Sequence, residues 1–150
     1  MAADTLALRA MNDHLRNFLR DMLADLSDEQ INYNAPAIDG RSIADIAVHA
    51  YCSILIFTNA IAGKGWPEMP AVPTTLADLL TLLDSTHDQL EQFIAALPEG
   101  ALEQSYKMPW GQEMQGLEAF AGALGHSFVH IGNIQGVRAI GGFPTPPENY

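Results

Sequence analysis

A chain of 150 residues, 48% hydrophobic and 17% charged, can bury one sizeable core, is too short for two ordinary domains, and is too apolar to be disordered. Its net charge of -11 is spread along the sequence and its seven Lys and Arg form no cluster, which argues against a nucleic-acid partner, since neutralising phosphates takes a basic patch. A lone cysteine, Cys52, makes no intrachain disulfide, MAADTLALRAMNDHLR has no apolar leader segment, and no uninterrupted apolar run reaches membrane-spanning length; the expectation is a soluble, cytoplasmic protein without a membrane partner.

Helical periodicity marks the first segment at residues 5–26, where Leu8, Met11, Leu15, Phe18 and Met22 recur at alternating steps of three and four. It stops near Ser27, ahead of the polar stretch SDEQINYNAPAIDG. A second segment, 42–62, opens at Ser42, whose hydroxyl caps the helix while Asp45 reaches back in an S-x-x-D capping box, and it ends at Gly63. The linker GKGWPEMPAVP, with three prolines and two glycines, cannot be helix. Thr74 or Thr75 caps the third segment, 75–97, whose stripe is Leu76, Leu79, Leu80, Leu83, Leu90, Phe93 and Leu97, and Pro98 and Gly100 end it. The fourth, 116–140, follows KMPWGQEMQG and closes at Gly141 and Gly142 before the tail FPTPPENY. Strand signals are nearly absent, so the expected fold is all-α, a four-helix bundle whose longer connections leave room for a crossover.

The fourth segment is apolar or small on nearly every side and reads as the most buried of the four. Gly122, Gly125, Gly132 and Gly136 fall within one sector of roughly 80° on a 3.6-residue period. Glycine costs about 1 kcal/mol against alanine in a helix, so the stripe predicts a second backbone packed close, within the chain or across a two-fold contact. In GALGHSFVHIGNIQG, His126 and His130 stand one turn apart in the neighbouring sector and point two imidazoles the same way. His49, on the core-facing stripe of SIADIAVHAYCSILIF, supplies a third. Unpaired rings there are costly, and sharing one cation satisfies all three while leaving a coordination position open. Of the remaining histidines, His14 reads as a partly exposed bundle residue and His87, in DSTHDQ, as solvent-facing. Cys52 reads as a small buried hydrophobe, and Asp45 as a cap. Trp66, Tyr106 and Trp110 belong to linkers that border the open end of a bundle, as pocket walls or as covers over the core.

Together LSDEQINYNAP, RSIADIAVHAYCSILIFTNAIAGKGW and MPWGQEMQGLEAFAGALGHSFVHIGNIQGVRAIGG resemble the DinB/YfiT-like superfamily of metalloenzymes, most tellingly in S-I-x-x-[IL]-x-x-H and H-x-x-x-H-x-G-x-I. The resemblance implies a bundle of up-down-down-up topology with a long crossover, and a homodimer. It implies nickel or zinc held by His49, His126 and His130. Some relatives are transferases or isomerases using a low-molecular-weight thiol: bacillithiol, mycothiol or glutathione. Family members commonly carry Gln where this chain has Asn133.

HSFVH lacks the glutamate of H-E-x-x-H metalloproteases, which removes that motif's general base and the peptidase reading with it. An open tris-histidine ion would acidify water or a thiol instead. The expected function is therefore a divalent-metal-dependent enzyme acting on a small-molecule substrate, as a thiol S-transferase or a hydrolase. The alternative is a non-catalytic, ligand-binding or dimerising stress-related bundle that keeps the histidines as a polar network.

Overall fold

The computed structural model describes residues 3–38 and 40–144; Asp39 and the tail from Thr145 lie outside the described residues. The elements in chain order are α1 (Ala3–Leu23), α2 (Asp28–Ile31), α3 (Ile43–Cys52), α4 (Ile54–Ile61), α5 (Leu76–Ala95), β1 (Ser105–Lys107), β2 (Glu113–Gln115) and α6 (Gly116–Gly141). Local chemistry sets most of the ends. Ser42 accepts from the Asp45 amide while Asp45 accepts from the Ser42 amide, the reciprocal capping box expected of the second segment. Thr75 caps α5, and Asp28 at the start of α2 accepts from the Leu76 amide at 2.7 Å, tying the two helix starts together. Gly142 adopts the left-handed conformation (φ 67°) that ends α6.

Three features depart from the sequence expectation. The second segment is not one helix, because Ser53 interrupts it between α3 and α4. The Ser53 hydroxyl donates to the Ala50 carbonyl at 3.3 Å, a local bond that competes with the regular ladder. Ser27 and Gln30 form a second capping box and start the single turn α2 inside the stretch taken for a loop. The linker KMPWGQEMQG supplies most of a two-stranded antiparallel hairpin, with Tyr106 opposite Met114 and Gly111 (φ 94°) in the turn.

Side-chain pairings give the direction of each helix. Arg9 meets Glu91, Asp13 meets His87 and Arg20 meets Asp84, so α1 and α5 run antiparallel. Phe18 lies against Phe128, and Asp25 pairs with Arg138, so α1 and α6 run parallel. His49 meets His126 while Phe57, farther along, shares a cavity with Gly122, so α3 and α4 oppose α6. The order is up-down-down-up, and residues 62–75 form the crossover between two parallel helices. One apolar cluster draws Leu15 and Leu19 from α1, Ile43, Ile46 and Tyr51 from α3, Leu79, Leu83 and Leu90 from α5, and Phe120, Leu124 and Ile134 from α6. Ile43–Ile61 is long and apolar enough to cross a membrane, yet 67% of it is buried in the bundle, which is what a core helix requires.

The α6 surface corrects two expectations. Leu117, Val129 and Ile140 are exposed, Val129 at 66%, so this helix is not buried all round. A Cβ built on Gly122, Gly125 or Gly132 meets no atom within 4 Å. Among the described residues, only Gly136 of that stripe has a close neighbour, the Ile38 side chain at 3.2 Å, so the glycines do not mark backbones packed within the chain.

Tyr51 gives a stability prediction. Its fully buried hydroxyl donates to Asn12 Oδ1 at 2.7 Å, and Asn12 is itself fully buried. Tyr51→Phe strands that acceptor, and denaturant unfolding should show a loss of about 1–3 kcal/mol. Burial pushes the Tyr51 phenol above its ordinary range. The unfolded chain therefore ionises first as pH climbs past about 10, and the native state loses stability there while keeping it at lower pH. Above about pH 10 the wild type should lose stability more steeply than Tyr51→Phe.

Candidate metal centre

Small residues keep α3 and α6 close together: Ala44, Ala47 and Ala50 on α3 and Ala119 and Ala123 on α6 are all buried. Ser127, fully buried, then fixes the register. Its hydroxyl lies 2.5 Å from the Ala50 carbonyl and 3.0 Å from that of Ala123. Because Ser127 follows His126 and Ala50 follows His49, this contact sets the two imidazoles against each other. Sequence reading passed over Ser127, and a small hydroxyl one residue after a ligand in an apolar helix was the available signal.

The three predicted histidines meet. His126 Nε2 stands 3.4 Å from His49 Nε2 and 3.0 Å from His130 Nε2. Their rings are nearly perpendicular, at 76°, 79° and 88°, with centroids 4.4–5.5 Å apart. One ligand nitrogen from each lies within 4.8 Å of the others. A tetrahedral ion about 2.0–2.1 Å from each nitrogen needs them about 3.3 Å apart, so the donor set fits a single divalent cation. The cluster does not face the core as expected. His126 is exposed, and His49 and His130 are half-buried, which puts the site on the bundle's rim with solvent access.

Asn133 stands on the far side of His130, its amide nitrogen 3.4 Å from His130 Nδ1. With Nε2 on an ion, Nδ1 carries the proton, and turning the amide over gives it the Asn133 carbonyl oxygen as acceptor. Asn133→Ala should weaken metal binding roughly 10- to 100-fold in a chelator competition, with helical content unchanged.

A cavity of about 370 Å³ opens beside His49 and His126, with Phe57, Ile56 and Met114 among its apolar walls. Trp110 lines it as well, edge-on to Phe57 with centroids 5.5 Å apart, and Trp66 lies 6.3 Å beyond. Of the three linker aromatics, Trp110 is thus a pocket wall and Trp66 backs it. Tyr106 instead covers the core, its hydroxyl donating to the Ala101 carbonyl at 2.9 Å. Asp45 is occupied by its cap, accepting from the Ser42 hydroxyl at 2.6 Å.

The other predicted residues fall elsewhere. His14 is exposed and lies against Phe18 and Phe128. Cys52 is buried beside the Thr86 hydroxyl, and burial pushes its thiol up, away from reactivity. His87 is not solvent-facing. It is buried in the seam between α1 and α5, with Nε2 2.7 Å from Asp13 and Nδ1 3.2 Å from Asp88. Asp13, His87 and Glu91 also cluster, but Glu91 already accepts from Arg9 and Asn12, so this is a polar network binding two helices.

An up-down-down-up bundle carrying a three-histidine cluster at its rim defines a distinct class of protein. The DinB superfamily model matches residues 11–134, and the chain belongs to that superfamily. Solved structures agree on the fold. A DinB-like protein from Bacillus cereus ATCC 10987 is 17% identical, with a TM-score of 0.74 over 88% of this chain and 89% of its own. YfiT from Bacillus subtilis, described as a probable metal-dependent hydrolase with an unusual four-helix bundle topology, is 13% identical, with a TM-score of 0.71 over 96% and 91%. The DinB-like protein YjoA from Bacillus subtilis is 19% identical, at 0.71 over 93% and 96%. No curated protein matches the chain.

Proposed function

We propose that this protein is a metal-dependent hydrolase of a small molecule, with zinc or nickel held by His49, His126 and His130. The observation that carries the reading is the convergence of three ligand nitrogens at the mouth of an apolar cavity. The description of YfiT as a probable metal-dependent hydrolase supports it. His49, His126 and His130 would hold a divalent ion, which would supply water acidified toward neutral pH in place of the general base that HSFVH does not carry. The chain's own residues bind and orient: Ser127 holds α6 against α3, Asn133 fixes the His130 ring, and Phe57 and Trp110 wall the cavity beside the histidines. In the overall reaction the water oxygen bonds to the acyl carbon, the acyl bond to the leaving group breaks, and the departing group takes a proton.

Hydrolysis is preferred over thiol transfer for a physical reason. Bacillithiol, mycothiol and glutathione are large polar thiols, the first and last bearing carboxylates, and among the described residues no Lys or Arg lines the cavity to receive such groups. The test is a comparison of chelator-stripped protein with protein reloaded with zinc or nickel, assayed on small esters and amides and, separately, on a thiol with an electrophile. Hydrolysis restored by the metal alone is the expected result. Equal rates in stripped and loaded protein would remove the metal-dependent reading, and metal-dependent thiol consumption without hydrolysis would replace hydrolase by transferase.

A further inference from the structure

We infer that the substrate is an uncharged carbonyl compound with a flat apolar end, of single-ring size, lying across Gly122 between Trp110 and His126. This deepens the hydrolase reading and rests on it for the chemistry, though not for the binding. Charge is the first argument: among the described residues the cavity beside His126 is lined by no Asp, Glu, Lys or Arg, on a chain whose net charge is -11, so apart from a bound ion a carboxylate or phosphate finds no charged partner and repulsive surroundings. Shape is the second. Phe57 and Trp110 meet edge to face at 72°, leaving ring faces for an aromatic guest, and about 370 Å³ sits at the small end of ligand cavities.

Gln112 supplies the third argument. The indole N–H of Trp110 only donates, so the Gln112 oxygen 3.1 Å away is its acceptor, and the amide NH₂ at the other end of that group is a donor on the cavity wall. A carbonyl oxygen is its complement. Gly122 is the fourth: it lines the same cavity one turn before His126, and a Cβ there would meet nothing within 4 Å. Among the described residues nothing packs over Gly122, so the bare helix surface there is open for a guest to lie across.

The experiment measures binding by calorimetry and tryptophan fluorescence, with acetophenone as the neutral probe and 4-acetylbenzoate as its charged counterpart. Neither is hydrolysed, and both metal-stripped and zinc-loaded protein are used. On stripped protein, where no ion can hold a carboxylate, acetophenone should bind roughly ten-fold or more tightly than 4-acetylbenzoate, and Gly122→Leu should weaken acetophenone binding by a similar factor with zinc content and thermal stability maintained. Trp110→Ala, at a residue 47% exposed, repeats the test without altering the helix. Equal affinity for the two probes, no binding of either, or full acetophenone affinity in both variants would overturn the inference. If the metal reading alone is wrong, the neutral probe still binds stripped protein and only hydrolysis is missing.

Discussion

Replacing His130 with alanine should lower divalent-metal affinity more than 100-fold, beyond the roughly 10- to 100-fold that removal of an outer-shell partner costs. His130 Nε2 lies 3.0 Å from His126 Nε2, so the variant keeps only the pair from His49 and His126, a far weaker chelate. The ring is half-buried at the rim, and its removal leaves the core cluster intact. Metal-free wild type and His130→Ala should therefore melt at similar temperatures. Adding zinc at about 100 times the dissociation constant should stabilise the wild type by about 2.7 kcal/mol and the variant hardly at all. Thermal melts with and without zinc read both effects. A polar network without an ion predicts the opposite: a lower melting temperature for the variant, and no response to zinc in either protein.

Arg138→Ala should be the most destabilising single change outside the site. The side chain is 1% exposed, the largest of those fully buried, and its guanidinium makes a two-pronged contact with Asp25 at 3.0–3.1 Å. It also donates to the carbonyls of Met22 and Pro144, joining the end of α1 to the end of α6. Asp25 is 41% exposed at its side chain, so the ion pair itself contributes little. The cost comes from the vacated volume and from the stranded Met22 carbonyl, and together these amount to about 3 kcal/mol. For a chain of this size that is a fall of roughly 6–12 °C in melting temperature. Arg138→Met, which fills the space without the charge, should lose less than Arg138→Ala, and Asp25→Asn, which leaves the buried guanidinium without its counter-charge, should lose about 1–3 kcal/mol. Calorimetric melts of the three variants check the order.

Helices were legible wherever local chemistry and periodicity agreed. The capping box at Ser42, the cap at Thr75 and the left-handed Gly142 lie where their sequence signals put them. The break at Ser53 was not legible, because a serine in an apolar run is compatible with an unbroken helix until its hydroxyl finds Ala50. The hairpin was missed for want of length: its strands are three residues each, and Tyr106, Met108 and Met114 alternate too briefly to outweigh the proline and glycine between them. The convergence of His49, His126 and His130 was legible because spacing and apolar surroundings constrain where each can point. His87 was misplaced because its neighbours in sequence are polar, while the partner that accounts for its burial, Asp13, is on another helix. The within-chain reading of the glycine stripe failed for a related reason: absence of a side chain is visible in sequence, whereas what occupies the space opposite is not. Gln112 and Phe57 become site residues only once the hairpin and α4 are folded beside α6.

X-ray absorption on zinc-reconstituted wild-type protein tests the central claim most directly. The account predicts one zinc per chain, with three imidazole nitrogens at about 2.0–2.1 Å and a remaining position filled from solution. No stoichiometric zinc, or a bound ion whose shell contains fewer than three imidazoles, would contradict it.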